Sequence, residues 1–247
     1  MNIIKELLLN QLIKVSVIEK IAKKSHSTGR NNNPVEIKKV FEKISKNVIF
    51  ENSKVLELGP GQTFGVLEEV LKAKATKVCA VDITSYSDNI PNTIEFKLYD
   101  GGLIPYENET FDVLFSWSVF EHIRFPTTTV KETHRILKKG GIAIHAIDLV
   151  DHFNYLWKKD KLIFNCLRYS EKLWNLMTWN RSNYVNRLRL SDWKNLFNEA
   201  GYDVEYFETT ENKIIESLYL KSKIKYLSKY TLEDAKTMSA YFVLKKK

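Results

Sequence analysis

The sequence predicts an α/β fold: an open, mostly parallel sheet with helices on both faces. Three observations carry this. Val55-Leu56-Glu57-Leu58 reads as a buried strand that runs into the turn Gly59-Pro60-Gly61, and the amphipathic run Val66 to Leu71 follows it. A second apolar strand, Lys77–Asp82, ends in an acid. A third, Ile94 to Tyr99, ends in Asp100-Gly101-Gly102. In such a sheet a ligand sits outside the carboxyl ends of the strands, where all three turns lie.

A chain of 247 residues with 44% hydrophobic and 28% charged residues can bury a sizeable core as one domain. Cys79 and Cys166 offer neither a disulfide framework nor zinc-ligand spacing, so a reducing, cytoplasmic setting and no metal are expected. The net charge of +8 would suit nucleic acid, an anionic membrane or a phosphorylated substrate. Its lysines are scattered, however, which favours a solvated surface.

Residues 3–22 place Ile4, Leu8, Leu12, Val15 and Ile18 on one helical face. Lys14 interrupts the apolar run, and no small-residue cleavage site follows, so neither a transmembrane segment nor a signal peptide is expected. The polar face mixes both signs of charge, which predicts a helix packed on the domain and leaves weak peripheral membrane contact as the alternative. Ser25 to Asn33 is a loop, and Asn33-Pro34 starts a helix that runs to about Lys46 and buries Ile37, Val40, Phe41 and Ile44.

The Gly59 loop has a rival reading as a dinucleotide fingerprint, Gly-x-Gly-x-x-Gly. Phe64 occupies the third glycine position and Gly65 falls one residue late. Glu57 would also be an awkward neighbour for two phosphates, whereas it suits a ligand with an amino group. Glu57-x-Gly59-x-Gly61 resembles motif I of the class I S-adenosylmethionine (SAM)-dependent methyltransferases. The stretch from Leu103-Ile104-Pro105 through Phe111-Asp112-Val113 to Glu121-His122 is similar to that family's fourth-strand region. Glu132 and Arg135-Ile136-Leu137-Lys138-Lys139-Gly140-Gly141 match its helix and turn, with Lys139 where proline is usual. Together these motifs span roughly residues 54–148.

The resemblance implies a Rossmann-like sheet of seven strands, mostly parallel with the last antiparallel, and SAM as cofactor. It implies that Glu57 with Gly59, Pro60 and Gly61 holds the methionine end. Asp82 would hold the ribose, with Ile83 beside it; it lies 23 residues after Gly59, against the ~20 expected of such an acid. Asp100 and Gly101 would meet the adenine, and Ser116 and Trp117 would line the pocket. Asp82 and Asp100 also read plainly as turn residues.

Strand five, Gly141 to Ile147, delivers Asp148, Asp151 and His152 to the same edge, and His122 follows strand four. These four are the candidates for handling the acceptor's proton, with a capped surface loop as the alternative. His145 falls mid-strand and reads as core. From Phe153 to Ser191 the strand pattern gives way to an aromatic helical insertion holding Trp157, Trp174, Trp179 and Tyr184, expected to pack as a cap. Arg187 and Arg189 either hold an anionic group or decorate the surface. Ser191 reads as N-cap of a helix over Asp192 to Ala200, followed by strand Tyr202 to Phe207. A helical insert over Ile214 to Tyr230 precedes a last strand, Met238 to Leu244.

The expected organisation is therefore one domain: helix and loop over 1–33, cofactor core over 34–148, cap over 149–190, and the rest of the sheet over 191–247. The expected activity is methyl transfer to a hydroxyl of a sugar, a phosphorylated glycan precursor or another small polar metabolite. The downstream segments resemble bacterial enzymes that modify surface polysaccharides or small metabolites. Nucleic acid is not expected as a partner. A small-molecule N-methyltransferase, a nicotinamide oxidoreductase, and a non-catalytic protein docking on membrane or nucleic acid are the alternatives.

Overall fold

The structure, a computed structural model, describes residues 3–14, 32–87, 89–153, 165–181, 184–211, 219 and 224–247. Seven strands form one sheet: β1 (Lys54–Leu58), β2 (Lys77–Asp82), β3 (Ile94–Leu98), β4 (Phe111–Trp117), β5 (Leu137–Asp148), β6 (Tyr202–Glu211) and β7 (Thr237–Lys246). Their order is β3-β2-β1-β4-β5-β7-β6. β1 pairs parallel with β2 and β4, while β7 runs antiparallel to both β5 and β6. The strand order reverses at β1 and β4, so their carboxyl ends open the crevice where an open α/β sheet binds ligands.

The described helices are α1 (Ile3–Leu12), α2 (Pro34–Ser45), α3 (Gly65–Lys72), α4 (Pro126–Ile136), α5 (Glu171–Thr178), α6 (Leu190–Glu199) and α7 (Leu232–Lys236). α2 starts as its sequence dictates: Asn33 Oδ1 accepts the Val35 amide at 3.0 Å and Pro34 opens the first turn. Ile37, Val40 and Ile44 pack with Val66, Leu67 and Val70 of α3 on one face of the sheet. The opposite face is filled from α4 and α6 by Val130, Ile136, Trp193 and Phe197. A third cluster joins Val150, Phe153, Trp174, Met177 and Tyr184 with Leu227, Tyr230 and Ala235, and forms the core of the cap. Cap aromatics Trp174 and Tyr184 therefore pack; Trp157, Tyr155 and Phe164 lie outside the described residues.

Four expectations are corrected. In α1 the buried side chains are Glu6 and Asn10, while Ile4, Leu8 and Leu12 are exposed. Glu6 pairs with Arg181, and Asn10 exchanges hydrogen bonds with the Leu176 carbonyl and the Asn180 amide, each 2.8 Å. Polar complementarity with α5 thus outweighs the apolar stripe; Val15 and Ile18 lie outside the described residues. Arg189 is neither an anion ligand nor a surface charge, because backbone carbonyls take its donors, and half-buried Arg187 spends its Nη1 in the same way. Arg189 reaches the carbonyls of Leu149, Asp234, Ala235 and Thr237, and Arg187 those of Cys166 and Tyr169. α6 begins two residues earlier than expected. Arg189 occupies its N-cap position, where the Arg189 amide donates to Asp192 Oδ2 at 2.9 Å, while the Ser191 amide donates to Asp234 Oδ1 at 2.8 Å. Strand five is longer than expected, because Leu137 already pairs with Phe111 before a register shift at Val113.

Most of the insert over Ile214 to Tyr230 lies outside the described residues, and residues 224–230 form turns rather than helix. Among the described residues no helix is long and apolar enough to cross a membrane.

Buried Arg189 ties α6, the end of β5 and α7 together, so truncating it leaves several carbonyls without donors. Arg189→Ala should cost at least about 3 kcal/mol of unfolding free energy in urea titration, given ~1–3 kcal/mol for each buried group left unsatisfied.

Candidate active site

The site begins with the β1–α3 turn. Gly59 and Gly61 take φ of +72° and +70°, a region that ordinary side chains disfavour. The Gly59 amide donates to the Val81 carbonyl at 2.8 Å, which draws the turn across the end of β2. A Cβ built on Gly59 would stand 2.6 Å from Val119 Cγ2, so the turn also seats directly beneath the chain leaving β4. Phe64 is buried and meets Phe96 edge-on at 5.7 Å. That position packs the core and offers no backbone approach for a phosphate.

Glu57 and Asp82 are both buried and lie close enough to interact electrostatically. Burial pushes the Asp82 carboxyl up to about 6, and the Glu57 charge adds to the rise. The amides of Thr84, Ile83 and Gly61 oppose it by favouring the anion. The glycine turn therefore points a donor at the second-strand acid. At the end of β3, Tyr99 is buried beside the Asp82 and Asp100 charges, and burial followed by those charges raises its phenol above the usual range. Asp100 Oδ1 accepts the Gly102 amide at 2.9 Å, the turn contact its alternative reading expected. Ile83 is 53% exposed beside it, and the nearest atom to a Cβ on Gly101 would be Ile83 Cγ2 at 4.0 Å. Glu57 with the glycine turn, then Asp82, then Asp100 with the open Ile83 wall suit, in that order, an amino group, a vicinal diol and a flat heterocycle.

Ser116 does not line this crevice with its side chain. It is fully buried on the α6 side, where its hydroxyl meets His145 Nδ1 at 2.8 Å, and His145 stacks on Phe197 at 5.7 Å. Burial holds His145 at about 3, consistent with a neutral core residue. Trp117 turns to the other face and meets Tyr241 edge-on at 6.2 Å.

The ends of β4 and β5 bring His122, Asp148 and His152 together. The rings of His122 and His152 lie 4.7 Å apart, and His152 Nε2 is 3.5 Å from Asp148 Oδ2. Burial depresses His122 to about 4, helped by His152 and opposed by its bond to the Tyr184 carbonyl at 2.7 Å. Asp151 separates from this group. It is fully buried, its Oδ1 accepts the Phe153 amide at 2.9 Å, and its charge faces Cys166 within the cap.

Glu121 is the residue the sequence reading passed over. It is buried beside His122, and burial, then the Asp148 charge, raises its carboxyl well above the usual range. The Glu-His pair was visible in the motif, but only burial distinguishes this glutamate from a solvated one.

A family model described as a methyltransferase domain matches residues 30–206 of the chain. The chain belongs to this methyltransferase family. SAM is the cofactor its fold implies, and the carboxylates and turn described above fit it. The fold recurs in a SAM-dependent methyltransferase of Mesorhizobium loti, at 10% identity and TM-score 0.57 over 84% of this chain and 96% of that one. A SAM-dependent methyltransferase of Methanosarcina mazei shares 14% identity and TM-score 0.53, over 88% of this chain and 99% of the other. The [4+2]-cyclase SpnF shares 13% identity and TM-score 0.56, over 98% and 96%. No curated protein matches the chain in sequence.

If Asp82 holds the ribose diol, it must do so as the anion to accept both hydrogen bonds, and its raised pKa would then set the acid limb of cofactor binding. Affinity for SAM should be flat above pH 7 and weaken roughly tenfold per pH unit below about 6, as expected for one required deprotonation. Calorimetry across pH 5–8 checks this, and Asp82→Asn should bind at least tenfold more weakly and lose the pH dependence.

Proposed function

We propose that this methyltransferase moves a methyl group from SAM to a hydroxyl of a sugar, a phosphorylated glycan precursor or another small polar metabolite. The observation that carries the reading is the seat of Val119 on Gly59, which joins the cofactor turn to the histidine–acid group at one sheet edge. SAM, when bound, supplies a methyl group already activated on its sulfonium. Glu57 and the Gly59–Pro60–Gly61 turn would hold its methionine end, Asp82 the ribose, and Ile83, Asp100 and Gly101 the adenine. These residues bind and orient, and positioning alone can contribute ~7–11 kcal/mol to such a reaction.

The acceptor would enter between the ends of β4 and β5, under the cap. His122 cannot serve as the base through Nδ1, because a carbonyl accepts only from an N–H and so keeps that nitrogen protonated. His152 is the better member: Asp148 lies beside it and would stabilise the imidazolium formed when it takes a hydroxyl proton. The cap core would exclude water above the group. An oxygen acceptor is favoured because a hydroxyl needs a proton acceptor, and the edge provides one.

His152→Ala should lower turnover by about 10²–10⁴-fold, the usual worth of a positioned general base, with the SAM dissociation constant within twofold of wild type. Methyl transfer from labelled SAM into fractionated glycan precursors measures the first, and calorimetry the second. Label appearing only in amines, or tight binding of NAD instead of SAM, would overturn the reading.

A further inference from the structure

One feature of the β4–β5 edge exceeds what a proton acceptor requires. Glu121, His122 and His152 each offer a ligand atom, and these atoms all lie within 4.8 Å of one another. Glu121 is only 2% exposed, and among the described residues no donor reaches hydrogen-bonding geometry with either of its carboxylate oxygens. Its own amide and that of Asp148 favour the anion from nearby but only in part. A buried carboxylate left in that condition is costly unless a proton or a cation completes it.

The imidazole beside it is oriented for the same task. His122 Nδ1 donates to the Tyr184 carbonyl at 2.7 Å, which fixes the tautomer and leaves the lone pair on Nε2. Metal-bound histidines are held in this way, by a carbonyl or carboxylate on the other nitrogen. Asp148, 3.5 Å from His152 Nε2, provides a carboxylate next to the second ring. The three potential ligands come from two neighbouring strand ends, so the sheet itself fixes their spacing.

We propose that Glu121, His122 and His152 form a binding site for one divalent transition-metal ion of the Zn²⁺ or Co²⁺ class. Two imidazoles and one carboxylate suit those ions, whereas Mg²⁺ and Ca²⁺ take oxygen ligands. Ligand atoms in a tetrahedral zinc site stand roughly 3.4 Å apart, so side-chain rotations of about 1 Å close the cluster. Three protein ligands leave a position for water or an oxygen of a bound molecule, the arrangement of catalytic rather than structural zinc. In the metal-loaded protein an acceptor oxygen would meet the ion instead of the His152 ring. The site stands on the cluster alone and does not depend on methyl transfer being the reaction.

The test uses the full chain stripped with EDTA and titrated with Co²⁺, followed by Zn²⁺ competition. The expected result is one equivalent bound, with the intense visible bands of a low-coordinate cobalt site that Zn²⁺ displaces. Glu121→Gln and His122→Asn should each weaken binding at least tenfold, while His134→Asn, whose ring packs on Tyr202 away from the cluster, leaves it unchanged. Circular dichroism confirms folding of each variant; if Glu121→Gln does not fold, His122→Asn and His152→Asn carry the comparison. A featureless titration of the wild-type chain, or binding unchanged in these variants, overturns the site. SAM calorimetry on the same samples separates the two readings. Loss of SAM binding in wild type counts against the proposed function and leaves the cobalt result to decide the metal site.

Discussion

The contact on which both halves of the site depend is Val119 against Gly59. Any side chain at residue 59 would place its Cβ 2.6 Å from Val119 Cγ2, on a backbone with φ already at +72°. The turn after β1 is therefore bound on one side to β2, by the Gly59–Val81 hydrogen bond, and on the other to the chain leaving β4. Ser118, just before Val119, takes a φ of +54°, an uncommon conformation for a residue with a side chain. Val119 then seats on the turn, and Glu121 is buried two residues on. The proposed cofactor and acceptor sites are in this way tied together.

The same edge carries an electrostatic tension. The chain has a net charge of +8, yet Glu57, Asp82, Glu121 and Asp148 gather where β1, β2, β4 and β5 end. For Asp82, a rise from 3.8 to about 6 means that folding disfavours its anion by about 3 kcal/mol. The sign follows directly: a carboxyl raised in the folded state stabilises the fold when protonated, and this contribution fades as pH rises from about 4 to about 6. A ligand that donates hydrogen bonds to the anion recovers part of the penalty. Buried acids here are a poor way to stabilise a fold and a good way to select a ligand with donors or positive charge. Surface lysines are screened and distant, and do not relieve the edge.

Much of the scaffold was legible because local pattern and tertiary role agree there. Lys77–Asp82 has the same bounds in sequence and structure, and Asn33-Pro34 starts its helix through side-chain and ring geometry within three residues. Elements whose partners lie far away were misread. The apolar stripe of α1 was the stronger local signal, but Glu6 and Asn10 find matching groups on α5 and the turn after it, more than 160 residues later. Arg187 and Arg189 read equally as anion ligands or surface charges, because nothing local shows that carbonyls of the cap and of α7 receive their donors. Ser116 and Asp151 have the right position in the chain, but their side chains turn into the core and the cap. Glu121 was overlooked for the converse reason: a glutamate reads as solvated until its burial is known.

The chemistry available at this edge is narrower than the fold that carries it. A [4+2]-cyclase shares the architecture, so the sheet alone does not dictate methyl transfer. What narrows it is the asymmetry between the two histidines. His122 is locked to the Tyr184 carbonyl, and burial keeps it neutral to about pH 4, so it can offer a lone pair but not store a proton near neutrality. His152 instead lies beside Asp148, with Nε2 3.5 Å from Oδ2. One ring suits holding an electrophile and the other suits receiving a proton. A purely structural packing of two histidines would need neither the acid beside His152 nor the buried Glu121. That asymmetry is what the proposed oxygen acceptor rests on.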